Sequence, residues 1–119
     1  MRKLKTALGI TLACGWLLCA NAQADISCGG TLSSVLLYAD GTVMINSTWR
    51  NDWTMICNTQ NGYGGIDSST CLAWYGAAVK ASQRHVAVAT YYTGNTYTCA
   101  NLPTYGSTPP TVYLLTNAT

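Results

Sequence analysis

The 119-residue chain contains no glutamate, one histidine, and only 8% charged residues. Its carboxylates are therefore Asp25, Asp40, Asp52 and Asp67. A glycosidase needs two of them flanking one bond. Asp40 belongs to an Asp-Gly turn and Asp67 to the start of a helix-like run. Asp52 is then left without a pair, apart from Asp25 at an end expected to fray. The single His85 has Arg84 beside it and no neighbouring carboxylate. A base without placed partners has little mechanism, so His85 reads as a helix-terminal or strand-edge residue. No Gly-x-Ser-x-Gly elbow is present. No close CxxC pair occurs, which argues against zinc. The glycines of Gly62-Tyr63-Gly64-Gly65 lack the Gly-Lys-Ser/Thr ending of a phosphate loop and read as a flexible connection. These absences leave no expected catalytic residue, metal ligand or cofactor.

The charges that exist are unevenly placed. Three of the six cations lie in Met1-Arg2-Lys3-Leu4-Lys5. An uncharged stretch follows from Thr6 to Ala20 and ends in Ala20-Asn21-Ala22-Gln23-Ala24, with small residues at Ala22 and Ala24. Basic start, short apolar middle and small-x-small end form a secretory signal. The apolar part is shorter than the about 20 residues that cross a bilayer. Neither Cys14, preceded at three residues by Thr11, nor Cys19, preceded by Trp16, fits a lipoprotein anchor. The expected organisation is a signal over residues 1–24 and a single domain over 25–119, secreted or periplasmic in a bacterium. After cleavage Arg50, Lys80 and Arg84 face four aspartates, a net charge of −1. Such a domain has no electrostatic footprint for nucleic acid and no basic face or anchor for a membrane. Its surface is expected to be polar but uncharged, rich in hydroxyls, amides and tyrosine rings.

Four cysteines remain in the domain: Cys28, Cys57, Cys71 and Cys99. An even number in a small exported domain reads as two disulfides. Of three connectivities, Cys28–Cys99 with Cys57–Cys71 is favoured. Cys57 closes a strand-like run and Cys71 opens a helix-like one, so their bridge clips the glycine-rich stretch between. A loop of that size contributes about 3 kcal/mol by the chain-entropy model.

Leu32–Tyr38 is short, apolar and β-prone. Asp40-Gly41 follows, a dipeptide favoured in two-residue type I′ hairpins. Thr42–Trp49 returns as a strand with Val43 and Ile45 on one face and Met44 and Asn46 on the other. Arg50-Asn51-Asp52 turns again into Trp53–Asn58. Asp67 to Thr70 offer N-caps, and Leu72, Tyr75 and Val79 recur at helical spacing among helix-favouring alanines, so a helix is expected over Ser69–Gln83. His85–Tyr92 alternates as a strand, Gly94-Asn95 turns, Thr96–Ala100 pairs back, and Thr111–Thr116 is a final strand. The expected fold is α+β, with element order β-β-β-α-β-β-β: a small disulfide-bonded antiparallel sheet or an OB-like barrel with one helix.

That order, in a secreted chain of this length, resembles the OB-fold B subunits of AB5 bacterial toxins. The segments Tyr38-Ala39-Asp40-Gly41-Thr42, Ile56-Cys57-Asn58, Cys71-Leu72-Ala73-Trp74-Tyr75 and Leu102-Pro103-Thr104-Tyr105-Gly106 resemble small secreted proteins of marine gammaproteobacteria. The first resemblance implies a glycan-binding, ring-forming subunit. The second implies no activity. No binding residue carries over from either.

The segment that most suggests a site is Trp49-Arg50-Asn51-Asp52-Trp53. Two indoles flank a guanidinium, an amide and a carboxylate, the groups that stack on a sugar and bind its hydroxyls. The competing view is a cross-strand Trp49–Trp53 pair that only stabilises a hairpin. Tyr91 and Tyr92 form a second candidate, since alternation sends one ring inward and the other outward. The expected function is non-enzymatic binding of a glycan or glycoconjugate. The alternative is an inhibitor or interaction protein that uses the Gly62–Ile66 loop on a protein partner. A homo-oligomer is compatible with either.

Overall fold

Two short antiparallel sheets and one helix make up residues 24–117, the part of the chain that the computed structural model describes. One sheet has the order β1-β5-β6, with β1 Ala24–Gly30, β5 Val88–Asn95 and β6 Thr111–Thr116. The other has the order β2-β3-β4, with β2 Leu32–Leu37, β3 Thr42–Ser47 and β4 Trp53–Asn58. The helix α1 runs over Ser68–Arg84. The α+β class and the single helix are as expected. The sheets do not close on each other, so the alternative of an OB-like barrel is not what forms. The expected export signal lies outside the described residues except for Ala24, which opens β1 opposite Asn95. Among the described residues no helix is long and apolar enough to cross a membrane.

Both disulfides have the favoured pairing, Cys28–Cys99 and Cys57–Cys71, each with Cα atoms 5.6 Å apart. Two such bridges in a small domain point to an oxidising, extracytoplasmic compartment.

The β2-β3-β4 sheet is the aliphatic half. Val43, Ile45 and Ile56 are fully buried with Leu32, Cys57, Cys71, Ala78 and Ala81. Met44 is buried too and pairs with Met55, so the central strand is covered on both faces. The Asp40-Gly41 turn is a hairpin turn, but not the two-residue type I′ form. Tyr38 N–H donates to Thr42 O and Gly41 N–H to Tyr38 O, both at 2.9 Å, which makes a three-residue loop. Only Gly41 has positive φ, at 90°, because the Asp40 carboxylate accepts from Thr42 N–H at 3.0 Å and holds the loop at this length.

Helix α1 begins where Asp67 accepts from Thr70 N–H at 2.7 Å. The buried stripe is Cys71, Ala78 and Ala81, with Trp74 and Tyr75 half-buried, while Leu72 is 59% exposed. The disulfide to Cys57 sets this rotation, and the two alanines let the helix lie close on β2. At the other end His85 has φ 54°, Val86 N–H donates to Ala81 O, and His85 N–H donates to Ser82 O. This is a Schellman cap with histidine where glycine is usual.

The β1-β5-β6 sheet departs most from expectation. Residues 24–30 are a strand, and they occupy the side of β5 where Thr96–Ala100 was expected to pair. That segment instead contains a 3-10 turn over Cys99–Asn101. Its Cys99 is tied to Cys28, so the disulfide delivers both segments to one place. The enclosed core is small: Cys28, Tyr92 and Leu102, with Ile26, Trp49, Tyr97 and Cys99 around them.

The stretch after Leu102 joins the two halves. Alternate carbonyls accept from donors on or near the aliphatic half: Leu102 O from Arg50 Nε at 2.7 Å, Thr104 O from Met55 N–H at 3.1 Å, Gly106 O from the Tyr63 hydroxyl at 2.8 Å, and Thr108 O from the same hydroxyl. A turn closed by Thr108 N–H on Tyr105 O, at 2.9 Å, folds the later part of this stretch back so that the Gly106 and Thr108 carbonyls reach the same Tyr63 hydroxyl.

Candidate functional site

Trp49 lies beyond the end of β3 and packs on both hydrophobic clusters. Its ring nitrogen is buried with no hydrogen-bond partner in the protein. Gly30 runs directly under this turn: a Cβ there would come within 2.2 Å of Thr48 Oγ1 and 3.3 Å of the Trp49 ring. Thr48 Oγ1 also accepts from Thr31 N–H at 3.1 Å. Trp49 is thus a packing residue between the sheets.

The rest of the turn has structural work as well. Asn51 takes φ 54°, and its N–H donates to Ser47 O at 2.8 Å. Asp52 accepts from Trp53 N–H at 2.7 Å and faces Arg50 at 3.8 Å. This gives Asp52 the local role that the sequence did not reveal. Arg50 is only 21% exposed because its guanidinium reaches over to Leu102 O. Trp53 is half-buried and sits across from Asn46, not from Trp49. The expected cross-strand indole pair is absent: the aromatic pairs among the described residues are Tyr38–Tyr105 and Tyr91–Tyr113. Trp49, Arg50, Asn51, Asp52 and Trp53 remain neighbours in sequence, yet they do not assemble an open double-indole platform.

Alternation on β5 separates the other two candidates as expected. Tyr92 is fully buried. Burial pushes its phenol above the ordinary value, with the Thr90 and Thr111 hydroxyls pulling the other way. These three hydroxyls approach one another without meeting hydrogen-bond geometry, and none has a partner in the protein. Tyr91 faces out. Its ring stacks on Tyr113 of β6, with centroids 5.3 Å apart and planes 12° apart. The Tyr91 hydroxyl donates to Asp25 Oδ2 at 2.8 Å, and Gly94 N–H donates to Asp25 Oδ1 at 3.2 Å. Asp25 is therefore held in place, not frayed. Its bond raises the pKa of the Tyr91 phenol.

Tyr113 is 41% exposed and Leu115, two residues on, is 48% exposed. β6 is an edge strand, so one face of the Tyr113 ring meets Tyr91 and the other is open toward the sheet's edge. Sequence reasoning missed Tyr113 because its partner is set by register, Tyr91 opposite Tyr113. The signal available was the odd-even match of two tyrosine-bearing strands.

The glycine-rich connection is held at several points. Tyr63 and Ile66 bridge each other through bonds of 2.9 and 3.0 Å, around Gly64 and Gly65 with φ 58° and 87°. The Cys57–Cys71 bridge closes its base and the Tyr63 hydroxyl ties it to Gly106 and Thr108. Gly64 lies against Pro110, whereas nothing lies within 4 Å of a Cβ placed on Gly65. The expected flexible connection is a docked β-turn.

The remaining titratable groups are dispersed. Asp40 is held below the usual carboxylate range by the Thr42 amide, and Asp67 by the Thr70 amide. His85 is exposed at the helix end. Among the described residues no three His, Cys, Asp or Glu side chains converge as a metal site would require. No family model, no curated protein and no solved structure matches the chain.

Proposed function

We propose that the chain is an exported, non-enzymatic binding domain that presents the outer face of the β1-β5-β6 sheet to a glycan. The observation that carries this reading is the parallel Tyr91–Tyr113 stack, which leaves the Tyr113 ring exposed on edge strand β6 and has the Asp25 carboxylate of β1 on the Tyr91 hydroxyl. A ring with one free face stacks on the apolar side of a pyranose. A carboxylate fixed by two donors keeps lone pairs for sugar hydroxyls. Tyrosine provides such contact area at low cost in side-chain entropy. The role is similar in kind to that of a toxin B subunit, carried here by an open sheet.

The test is a glycan array on the disulfide-bonded domain, followed by titration of the best ligand. Tyr113→Ala is expected to weaken binding by roughly tenfold or more, about 1.4 kcal/mol. Surface substitutions usually change stability by no more than about 0.5 kcal/mol, so its unfolding midpoint should move little. Full binding in both Tyr113→Ala and Tyr91→Ala would remove the site from this face.

A second reading has its own support. The Gly64-Gly65 turn is rigid, open on the Gly65 side and clipped at its base. Those are the properties of a loop that enters another protein's cleft without a large ordering cost. An array without any glycan ligand would give this reading the lead.

A further inference from the structure

A cavity of about 380 Å³ lies between the C-terminal half of α1 and the end of β6 at Thr116. Its walls include Ala81 and Val86, with Lys80 and Arg84 one helical turn apart. That volume falls within the range of small-molecule sites, about 300–1,000 Å³.

Two independent features mark it as more than a dent. The first is charge. The described residues hold three Lys or Arg side chains, and Arg50 is occupied by Asp52 and Leu102 O. The other two both line this cavity. Among the described residues the ion pair that forms is Arg50–Asp52, so none of the four aspartates pairs with Lys80 or Arg84. A favourable interaction with the helix dipole reaches only the last turn, which accounts for Arg84 better than for Lys80.

The second feature is Gly76, which also lines the cavity. Glycine in a helix interior is unfavourable relative to alanine. Close packing does not require it here, because a Cβ on Gly76 would meet nothing within 4 Å. It is one of the residues that border the cavity, and the space beside it is open.

We infer that this cavity binds a small carboxylate with an apolar tail, its head between Lys80 and Arg84 and its tail along Gly76, Ala81 and Val86. Two cations that find no counter-ion among the described residues select the anion, and the small apolar residues select the tail.

The experiment is calorimetric titration of the disulfide-bonded protein with sodium octanoate below its micellar range, with 1-octanol as the uncharged control. Octanoate should bind at least about tenfold more tightly than octanol. The Lys80→Gln/Arg84→Gln variant should lose that difference. Gly76→Leu should abolish binding while raising the melting temperature, because it restores helix propensity and fills the space. That rise separates a plugged site from a misfolded one. Octanoate that does not bind, that binds both variants as it binds the parent, or that binds no better than octanol overturns the inference. Glycan binding through Tyr113 is indifferent to all three substitutions, so the two proposals fail separately.

Discussion

The two halves of this domain are stabilised in different ways. The β2-β3-β4 sheet with α1 buries a continuous aliphatic cluster, and the chain that forms it is nearly continuous in sequence. The β1-β5-β6 sheet gathers strands from both ends of the described chain around three buried residues. It also holds three buried hydroxyls without partners, on Thr90, Tyr92 and Thr111, against two in the larger aliphatic half, on Ser47 and Thr54. Little apolar area and unmet polar groups make a poor core. A cross-link spanning 71 residues offsets that deficit. The difference teaches that the second half depends on covalent closure and on the segment after Leu102, whereas the first could tolerate the loss of its own bridge better.

Disulfide removal tests that contrast most strongly. In the chain-entropy model, Cys28→Ala/Cys99→Ala should cost about 4 kcal/mol and Cys57→Ala/Cys71→Ala about 3 kcal/mol. Denaturant titration of both variants reads the difference directly. Moreover, amide exchange should rise across β1 and β6 in the first variant before it rises in β3. Equal loss of protection in both halves would erase the comparison.

Trp49 is the side chain shared by the two clusters, so Trp49→Ala should cost about 3 kcal/mol, the lower end for a large aromatic because the ring is half-buried. Arg50→Ala should follow at about 1.5–3 kcal/mol, the range for a hydrogen bond to a charged group. Thermal melts of the two variants rank them, and an Arg50 variant as stable as the parent would show that Leu102 O is not an anchor.

Tyr92→Phe sharpens the account of the weaker half. It removes a buried hydroxyl that has no partner, so stability at neutral pH should change by less than about 1 kcal/mol, in the stabilising direction. The pH dependence should change more. The folded-state pKa of Tyr92 is raised by burial. Its contribution is therefore fully present below the unfolded value of about 10 and is lost as pH rises from there through the folded value. Phenolate absorbance and denaturant midpoints between neutral and strongly alkaline pH should show a flatter alkaline limb in Tyr92→Phe. An unchanged limb would assign alkaline unfolding to the other tyrosines.

The smallest effect belongs to the helix end. His85 occupies a left-handed cap position that glycine adopts without strain. His85→Gly should therefore gain about 0.5–1 kcal/mol. A loss of stability would mean that the imidazole makes a contact that matters more than its backbone strain.

Much of the first half was legible because its signals are local. Alternating apolar residues from Leu32 to Asn58, an Asp-Gly turn, an Asp N-cap and an alanine-rich run each act within a few residues. The 17-residue helix extends the expected one by a single residue at each end. The second half was not legible in the same way. Asp25-Ile26-Ser27-Cys28-Gly29-Gly30 has weak strand character by itself, and it becomes β1 because β5 and the Cys28–Cys99 bridge hold it. Thr96–Ala100 alternates well enough for a strand, but its place beside β5 is already filled.

The candidate site divides along the same line. Alternation alone determined that Tyr91 and Tyr92 face opposite ways, and the even number of cysteines over residues 25–119 pointed to the two bridges that form. Composition determined a surface poor in charge. Tertiary structure decided that Trp49 fills a seam between sheets, that Arg50 reaches Leu102, and that Tyr113 is the partner of Tyr91. It also decided that Lys80, Arg84 and Gly76 border one cavity with Thr116. The physical reason is reach. Propensity, capping and alternation are set by neighbours a few residues away, whereas strand register, close packing of a side chain and the enclosure of a cavity depend on residues that only the folded chain brings together.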